Sequence, residues 1–482
     1  MEKITKNIEL TRRDKFIGLA MAFAAFAVMA AAALIEIEFI AKADFSDFSL
    51  RKAGTILVLL ALILFSVLSI YLYCFFALRE TLKVKKLFAV TLTSFALCWI
   101  ISVSLHNVSV YAMPLALGGV LAANLVDRKL GFFINVVNVL TAVAYLLVID
   151  KAQGGAPIDT PMTKGLASLI FGAVVVSFSG RNTARLRFIA YMFLCGAAVL
   201  PVSALLILLS GAKDEIVGSL SYVALGAGLS LLLPLLFLPV FEFAFNLVSN
   251  FRLAEICDFN RPLLKKLQAE APGTFMHCQT VSNLTESCAQ ALGENVYFAR
   301  AAALYHDIGK LAEPGFYIEN LAGKPNPHDG LTPELSAEII HRHPSKGYEM
   351  ILAARLPKEL ALVAREHHGT TPLMSFYGKA QKLTDGEVDI KAYRYKEPLP
   401  STKTAALVMI CDSCEAAIRS MAAPTLEKID GLISAIIDER NKWGQFDNTE
   451  LSMKDFAIIK QTILNAALGL YHSRIEYPKE DK

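Results

Sequence analysis

The chemistry-bearing residues of this 482-residue chain gather in its second half, where eight of its nine histidines lie: His277, His306, His328, His341, His343, His367, His368 and His472. Two doublets stand out, "HD" at His306 and Asp307 and "HH" at His367 and His368. Both fall in stretches rich in Ala and Leu that read as helix, and polar groups there are costly to bury without partners. A lone histidine in a helix is usually a satisfied core or surface residue. Several beside a carboxylate are more economically explained as a metal cluster, because imidazole nitrogen with carboxylate oxygen suits Fe, Mn or Zn. An aspartate can also bridge two metals, which makes Asp307 the candidate centre of a pair. The eight cysteines show neither a disulfide framework nor zinc spacing and read as reduced. Cys411 and Cys414 form a single CxxC around Asp412 and read as helix-packing residues.

The elements that must position these groups follow from hydropathy. The chain is 54% hydrophobic and 19% charged, with a mean hydropathy of +0.46, so part of it must lie in lipid. Up to Phe245 the apolar residues come in blocks of roughly 18 to 25, the length that crosses ~30 Å of hydrocarbon, and no such block follows. Spans are expected at residues 16–36, 54–78, 87–106, 109–126, 130–149, 165–180, 187–210 and 217–245, with seven as the competing count. Basic residues fall in alternate loops, at Lys3, Lys6, Arg12, Arg13 and Lys15, at Arg79, Lys83, Lys85 and Lys86, at Arg128 and Lys129, at Arg181, Arg185 and Arg187, and at Arg252 and Arg261. The positive-inside rule then puts both termini in the cytoplasm and makes the chain a multi-pass protein of the cytoplasmic (inner) membrane. His106, Asn135, Asn138 and Glu242 interrupt the apolar blocks, as interhelical hydrogen-bonding groups or as a ligand pocket. Pro234 and Pro239 are expected to kink the last span.

The remainder shows helical apolar spacing with Gly/Pro punctuation and little period-two alternation, so the whole chain reads as all-α. The expected division is a transmembrane bundle over residues 1–248, a connecting helix over 249–272 with Pro262 at a helix start, and a soluble domain over 273–482. A net charge of +3 gives no case for binding a nucleic-acid polymer.

"HDIGK" preceded by His277 and followed by "IIHRHPSKGYE", "REHHGT" and "ICDSCEAAIRSM" resembles the HD-domain metal-dependent phosphohydrolases. The stretches "RPLLKKLQAEAPGTF", "YIEN", "NPHDGLTPELSAEII" and "YHSRIEYP" narrow the likeness to the membrane-bound 7TM-HD branch, the PgpH-type cyclic di-AMP phosphodiesterases; "MPLALGGVLAANLVD" and "LLLPLLFLPVFEF" extend it more loosely into the membrane half. The resemblance implies a dinuclear centre, Fe or Mn, in which His277, His306, Asp307 and Asp412 hold one metal while Asp307 bridges to a second held by His343, His367 and His368. It implies hydrolysis of cyclic di-AMP to 5′-pApA, control of the level of that second messenger, and Lys310 facing the phosphate rather than serving as a plain surface lysine. The alternatives are another cyclic dinucleotide or nucleotide as substrate, or a receptor that binds nucleotide without cutting it. A homo-oligomer and a signal or partner at the membrane half stay open.

Weaker candidates for substrate contact are Asn326 and His328, which fit a turn equally well, and Arg419, which could instead pair with Glu415 one turn earlier. His341 points to a different face from His343, so only one should be a ligand, and the family register selects His343. Two departures from the family pattern are Cys278, where a small hydroxyl residue is usual, and Pro344, which should end a helix at or near His343. A third is the absence of the domain that family members insert after the first span, since only the segment from Ile37 to Ala53 is available.

Overall fold

The computed structural model describes residues 9–36, 50–153, 159–179, 185–209, 216–384, 386–421 and 424–470. Lys3, Lys6, Asp44, Asp47, Arg181, the segment "GAKDE", His472 and the "YHSRIEYP" tail lie outside them, as does most of the segment after the first span. The chain divides into two compact units, Met1–Phe251 and Arg252–Lys482. Both are helical, and no β-strand forms among the described residues beyond one isolated bridge between Pro372 and Arg394.

In the first unit five helices are long and apolar enough to cross a membrane: Arg12–Ile35, Ala53–Phe76, Lys85–His106, Arg128–Ile149 and Ile216–Ala244. The stretches Val110–Leu125, Met162–Phe178 and Phe193–Leu209 are shorter, so the expected count of eight does not follow from helix length. The fourth expected span is a broken segment, made of a 3-10 turn at Val110–Ala112, a non-helical run over 113–116, and a helix Leu117–Leu125. Non-helical backbone at this depth is tolerable only where protein shields it, and Tyr111 through Ala123 are buried. The Cys98 thiol reaches the Pro114 carbonyl at 3.4 Å. Glycines let the neighbours close in, since a Cβ on Gly119 would lie 2.8 Å from the Gly131 carbonyl oxygen.

The broken segment still returns the chain across the unit. Tyr73 stacks on Phe133 at 4.1 Å and Ser66 bonds Thr141 at 2.7 Å, so the Leu50–Phe76 and Arg128–Gln153 helices are antiparallel. His106 meets Tyr145 at the far end, where the Lys85–His106 helix finishes. A 2.7 Å ion pair between Lys85 and Asp14 brings the starts of the first and third long helices together. Pro234 and Pro239 lie inside a helix that continues through both. Among the interrupting polar residues, His106 lies 3.4 Å from Glu36 and Glu242 accepts from Ser249. Asn138, in contrast, leaves both amide atoms without a hydrogen-bond partner among the described residues.

The second unit is a stack of short helices with sequence-encoded boundaries. Prolines occupy the first turns of Pro262–Glu270, Pro272–Leu292, Pro333–His341 and His343–Ala353, where their missing N–H costs nothing. Asn295, Thr332, Thr402 and Thr425 cap the helices that follow them. Gly293, at φ +71°, ends the Pro272–Leu292 helix in the left-handed region. The expected single connecting helix is two, Asn250–Ile256 and Pro262–Glu270, with Pro262 in the first turn of the second.

Between them, Pro272–Leu292, Val296–Tyr305, Lys358–Glu366 and Lys403–Ser420 form the core that surrounds the histidines. Its crossing points are small residues: Ala299, Ala301, Ala302, Ala303, Ala361, Ala364, Ala405 and Ala406 are fully buried. The His343–Ala353 helix docks on the 3-10 turn Ile308–Ala312, where a Cβ on Gly309 would lie 1.9 Å from the His343 carbonyl oxygen and 2.5 Å from the Gly347 nitrogen. Backbone cannot yield as a side chain can. Gly309→Ala should therefore destabilise this unit by about 2 kcal/mol or more, read as a lower thermal midpoint; an unchanged midpoint would show that the helix is not seated there.

Candidate metal centre

His277, His306, Asp307, His343, His367, His368 and Asp412 meet in one buried cluster. Asp307 groups with His343, His367 and His368, it groups again with His277 and His306, and His306 and His367 group with Asp412; within each set the donor atoms lie within 4.8 Å of one another. The two oxygens of Asp307 face different histidines. Its Oδ2 lies 3.3 Å from His306 Nε2 and 3.6 Å from His277 Nε2. Its Oδ1 lies 3.3 Å from His343 Nε2 and 3.6 Å from His367 Nε2. Asp412 Oδ1 sits 2.9 Å from His277 Nε2 and 3.8 Å from His306 Nε2.

Helix ends aim the rings. The last carbonyls of a helix lack intrahelical partners, and three histidines use them: His306 Nδ1 bonds Ala303 O, His343 Nδ1 bonds Ile340 O and His367 Nδ1 bonds Ala364 O, at 2.7, 2.7 and 2.8 Å. Each bond requires the proton on Nδ1 and leaves the Nε2 lone pair turned to the centre. Pro344 does not displace His343. The preceding helix ends at His341, Arg342 separates the two, and His343 opens the next helix with Pro344 in its first turn, so the helix end expected at or near His343 is present.

The donor set fits a divalent cation. His306 Nε2 and Asp307 Oδ1 are buried and have no hydrogen-bond partner among the described residues, and unsatisfied buried atoms of this kind within a nitrogen and oxygen donor set fit a bound cation. Charge is unevenly distributed around the centre. Burial alone would lower the pKa of His277, but bonds to Asp412 and Glu415 overcome it and raise the group to about 9. Burial also opposes the charge on His306, which the adjacent Asp307 carboxylate nonetheless holds well above its ordinary value. His367 and His368 are lowered, by burial first and then by neighbouring imidazoles. Burial disfavours ionised Asp307 and Asp412, yet Lys310 and His306 beside the first, and His277 and His306 beside the second, hold both well below the carboxylate range.

Lys310 is not a surface lysine. Its Nζ lies 2.7 Å from Asp307 Oδ2 and 2.9 Å from Glu319 Oε1, over the Tyr317 ring. The weaker candidates each have a structural partner. Asn326 caps the 3-10 turn Pro327–Gly330, accepting from the His328 N–H. His328 bonds the Phe316 carbonyl at 2.9 Å and packs between Phe316 and Phe376. Arg419 lies 3.8 Å from Glu415, the ion-pair alternative. His341 turns away to the Tyr393 carbonyl. Cys411 and Cys414 are buried free thiols.

The HD domain family matches residues 274–417, and the family described as "7TM receptor with intracellular HD hydrolase" matches residues 55–249. The chain belongs to the 7TM-HD family. It is 34% identical over 375 residues to the cyclic-di-AMP phosphodiesterase PgpH of Bacillus subtilis (strain 168), a match covering 77% of this chain and 52% of that protein. It is 41% identical over 262 residues to the protein of the same name from Listeria monocytogenes serotype 1/2a (strain 10403S), covering 54% of this chain and 36% of that one. The chain thus spans about half the length of the first relative and about a third of the second. A crystal structure of the L. monocytogenes PgpH HD domain in complex with cyclic-di-AMP is 42% identical, covers 45% of this chain and all of its own, and has a TM-score of 0.42.

The structure of this 7TM-HD chain adds site residues that its sequence did not single out. Glu415 accepts from His277 Nδ1 at 2.5 Å, fixing the ring as the helix carbonyls fix the others. A signal existed, because Glu415 is three residues after Asp412 and shares its helix face. Tyr395 stacks on His368 at 4.4 Å and Tyr317 meets His343 edge-on at 5.9 Å; both lie outside the α-helices, where no periodicity points inward. Glu415→Gln should weaken divalent metal binding by about 10- to 100-fold while preserving the fold, as measured by titration calorimetry and circular dichroism; unchanged affinity would remove Glu415 from the site. His277 must shed a proton before its Nε2 can bind a cation. Metal affinity should therefore climb between pH 7 and 9, by up to about tenfold per unit for one proton released, and flatten above it; a flat profile across this range would contradict the raised His277.

Proposed function

We propose that this chain is a membrane-anchored, metal-dependent phosphodiesterase that opens cyclic di-AMP to 5′-pApA. The observation that carries the reading is the division of Asp307, one carboxylate oxygen toward His277 and His306 and the other toward His343 and His367. That arrangement suits a bridging ligand between two cations, one held with His277, His306 and Asp412 and one with His343, His367 and His368. Fe or Mn fits the nitrogen and oxygen donors. Such ions supply Lewis-acid activation of the phosphodiester and of the attacking water.

The protein's own groups do the rest. The backbone-anchored imidazoles hold their lone pairs in place without reorganisation, and burial within the alanine-rich core raises the strength of every charge interaction in the site. Lys310, poised between Asp307 and Glu319, has a charge to offer a phosphate oxygen as the transition state gains negative charge. One water adds across one phosphorus–O3′ bond, the 3′ hydroxyl leaves with a proton, and the linear dinucleotide keeps a 5′ phosphate. The names of the PgpH relatives support cyclic di-AMP as the substrate. The shared end of the basic residues at Arg12, Arg13, Lys83, Lys85 and Lys86, brought together by the Lys85–Asp14 pair, supports the cytoplasmic orientation in the inner membrane.

The purified full chain, loaded with Mn²⁺ or Fe²⁺, should convert cyclic di-AMP to 5′-pApA faster than it converts cyclic di-GMP or mononucleotides, as followed by chromatography. Asp307→Ala should abolish turnover, and Lys310→Met should lower kcat about 100-fold with metal content retained. Undiminished turnover in Asp307→Ala would defeat the mechanism, and faster cutting of another cyclic dinucleotide would defeat the substrate.

A further inference from the structure

Inside the membrane unit, the Met162–Phe178 segment carries a buried lysine among mostly apolar neighbours. Lys164 is 6% exposed. Its Nζ donates to the Tyr111 carbonyl at 2.7 Å, and no carboxylate pairs with it among the described residues. A buried ammonium is expensive unless its charge is matched, and one backbone carbonyl satisfies one of its three N–H groups.

Lys164 lines a cavity of 20 Å³ whose walls include Phe171, Val199 and Val223. Ser203 lines the same space. Its hydroxyl is buried, and Oγ has no hydrogen-bond partner among the described residues. The space therefore holds a lysine amine that no carboxylate among the described residues answers and an unused hydroxyl, with Thr163, Ser168 and Ser230 also on its walls, and its volume suits one or two water-sized species. Burial disfavours the ammonium form unless an anion stands beside it, and a neutral water does not supply that charge.

We propose that Lys164 and Ser203 form a binding site for a single halide-sized anion, of which chloride is the natural representative, within the membrane unit. The anion accepts from Lys164 Nζ and from Ser203 Oγ. The ammonium keeps its bond to the Tyr111 carbonyl, so the anion also secures the broken Val110–Leu125 segment on which that carbonyl lies.

The test is thermal unfolding of the full chain in a neutral detergent, in sodium chloride, sodium bromide or sodium gluconate at equal ionic strength. Chloride and bromide should raise the midpoint saturably, by about 2–4 °C over gluconate, which does not fit. Lys164→Met should abolish the difference between salts, Lys164→Arg should keep it, and Ser203→Val should shift the chloride titration to higher concentration. Should Lys164→Met fail to fold, the Lys164→Arg and Ser203→Val titrations decide on their own. A midpoint insensitive to the anion, equal stabilisation by gluconate, or the same chloride response in Ser203→Val as in the unsubstituted chain would overturn the proposal.

Discussion

A carboxylate sealed in a helical core must be answered by positive charge, and Asp307 imposes that demand on everything around it. The side chain is 2% exposed, one of its oxygens has no hydrogen bond among the described residues, and leaving such a group unmatched costs more than most single contacts return. The answer is built from four directions. Val296–Tyr305 delivers His306, the broken helix after His341 delivers His343, Lys358–Glu366 delivers His367, and Lys310 closes the circuit from the next turn. Side chains of this size meet only if the helices that carry them approach closely. The run of buried alanines makes that approach, bringing His306 and His367 to 5.0 Å and His277 and His306 to 5.4 Å between ring centroids. The alanine composition and the histidine cluster are thus one feature, since larger residues at the crossings would separate the donors.

Much of this was legible because residue type and local pattern carry it. Doublets such as His306-Asp307 and His367-His368 announce polar groups inside apolar helices, and the ordered set from His277 to Asp412 marks the family. Ring orientation was not legible. His306 and His367 stand at helix C-caps and His343 just past another helix end, so each takes a carbonyl three residues back. That geometry depends on where the helices stop, and sequence places helix ends only to within a few residues. Glu415 was visible as a partner for Arg419, whereas its bond to His277 required the crossing of two helices 138 residues apart. Tyr395 and Tyr317 reach the site from outside the α-helices, where side-chain direction has no period to read.

The membrane unit shows a different limit. Hydropathy responds to composition, and a broken segment buried among other helices is as apolar as one that spans lipid. Residues 109–126 therefore read as a helix of ordinary length. In the structure the run Met113 to Ala116 is not helical, and the shielding that makes this tolerable comes from neighbours far along the chain, Cys98 and Lys164 among them. The glycines at 118, 119 and 131 show why the segment packs so tightly, but spacing alone could not assign them to one crossing. Asn138 is the counterpart in polarity: hydrogen bonding across helices was expected of it, and its amide is unpaired among the described residues.

Returning to the HD core, the two sides of Asp307 are electrostatically unequal even though each supplies histidine. On the side of His277 and His306, carboxylates stabilise the charged rings, and protons occupy lone pairs that a cation would need. On the other side, burial and mutual proximity keep His367 and His368 neutral. A cation beside His367 and His368 would meet imidazoles whose charged form burial disfavours, whereas one beside His277 and His306 would have to displace protons before it could bind. The sensitivity of cation binding to pH would follow from this asymmetry of charge and not from the number of donors, which is similar on the two sides.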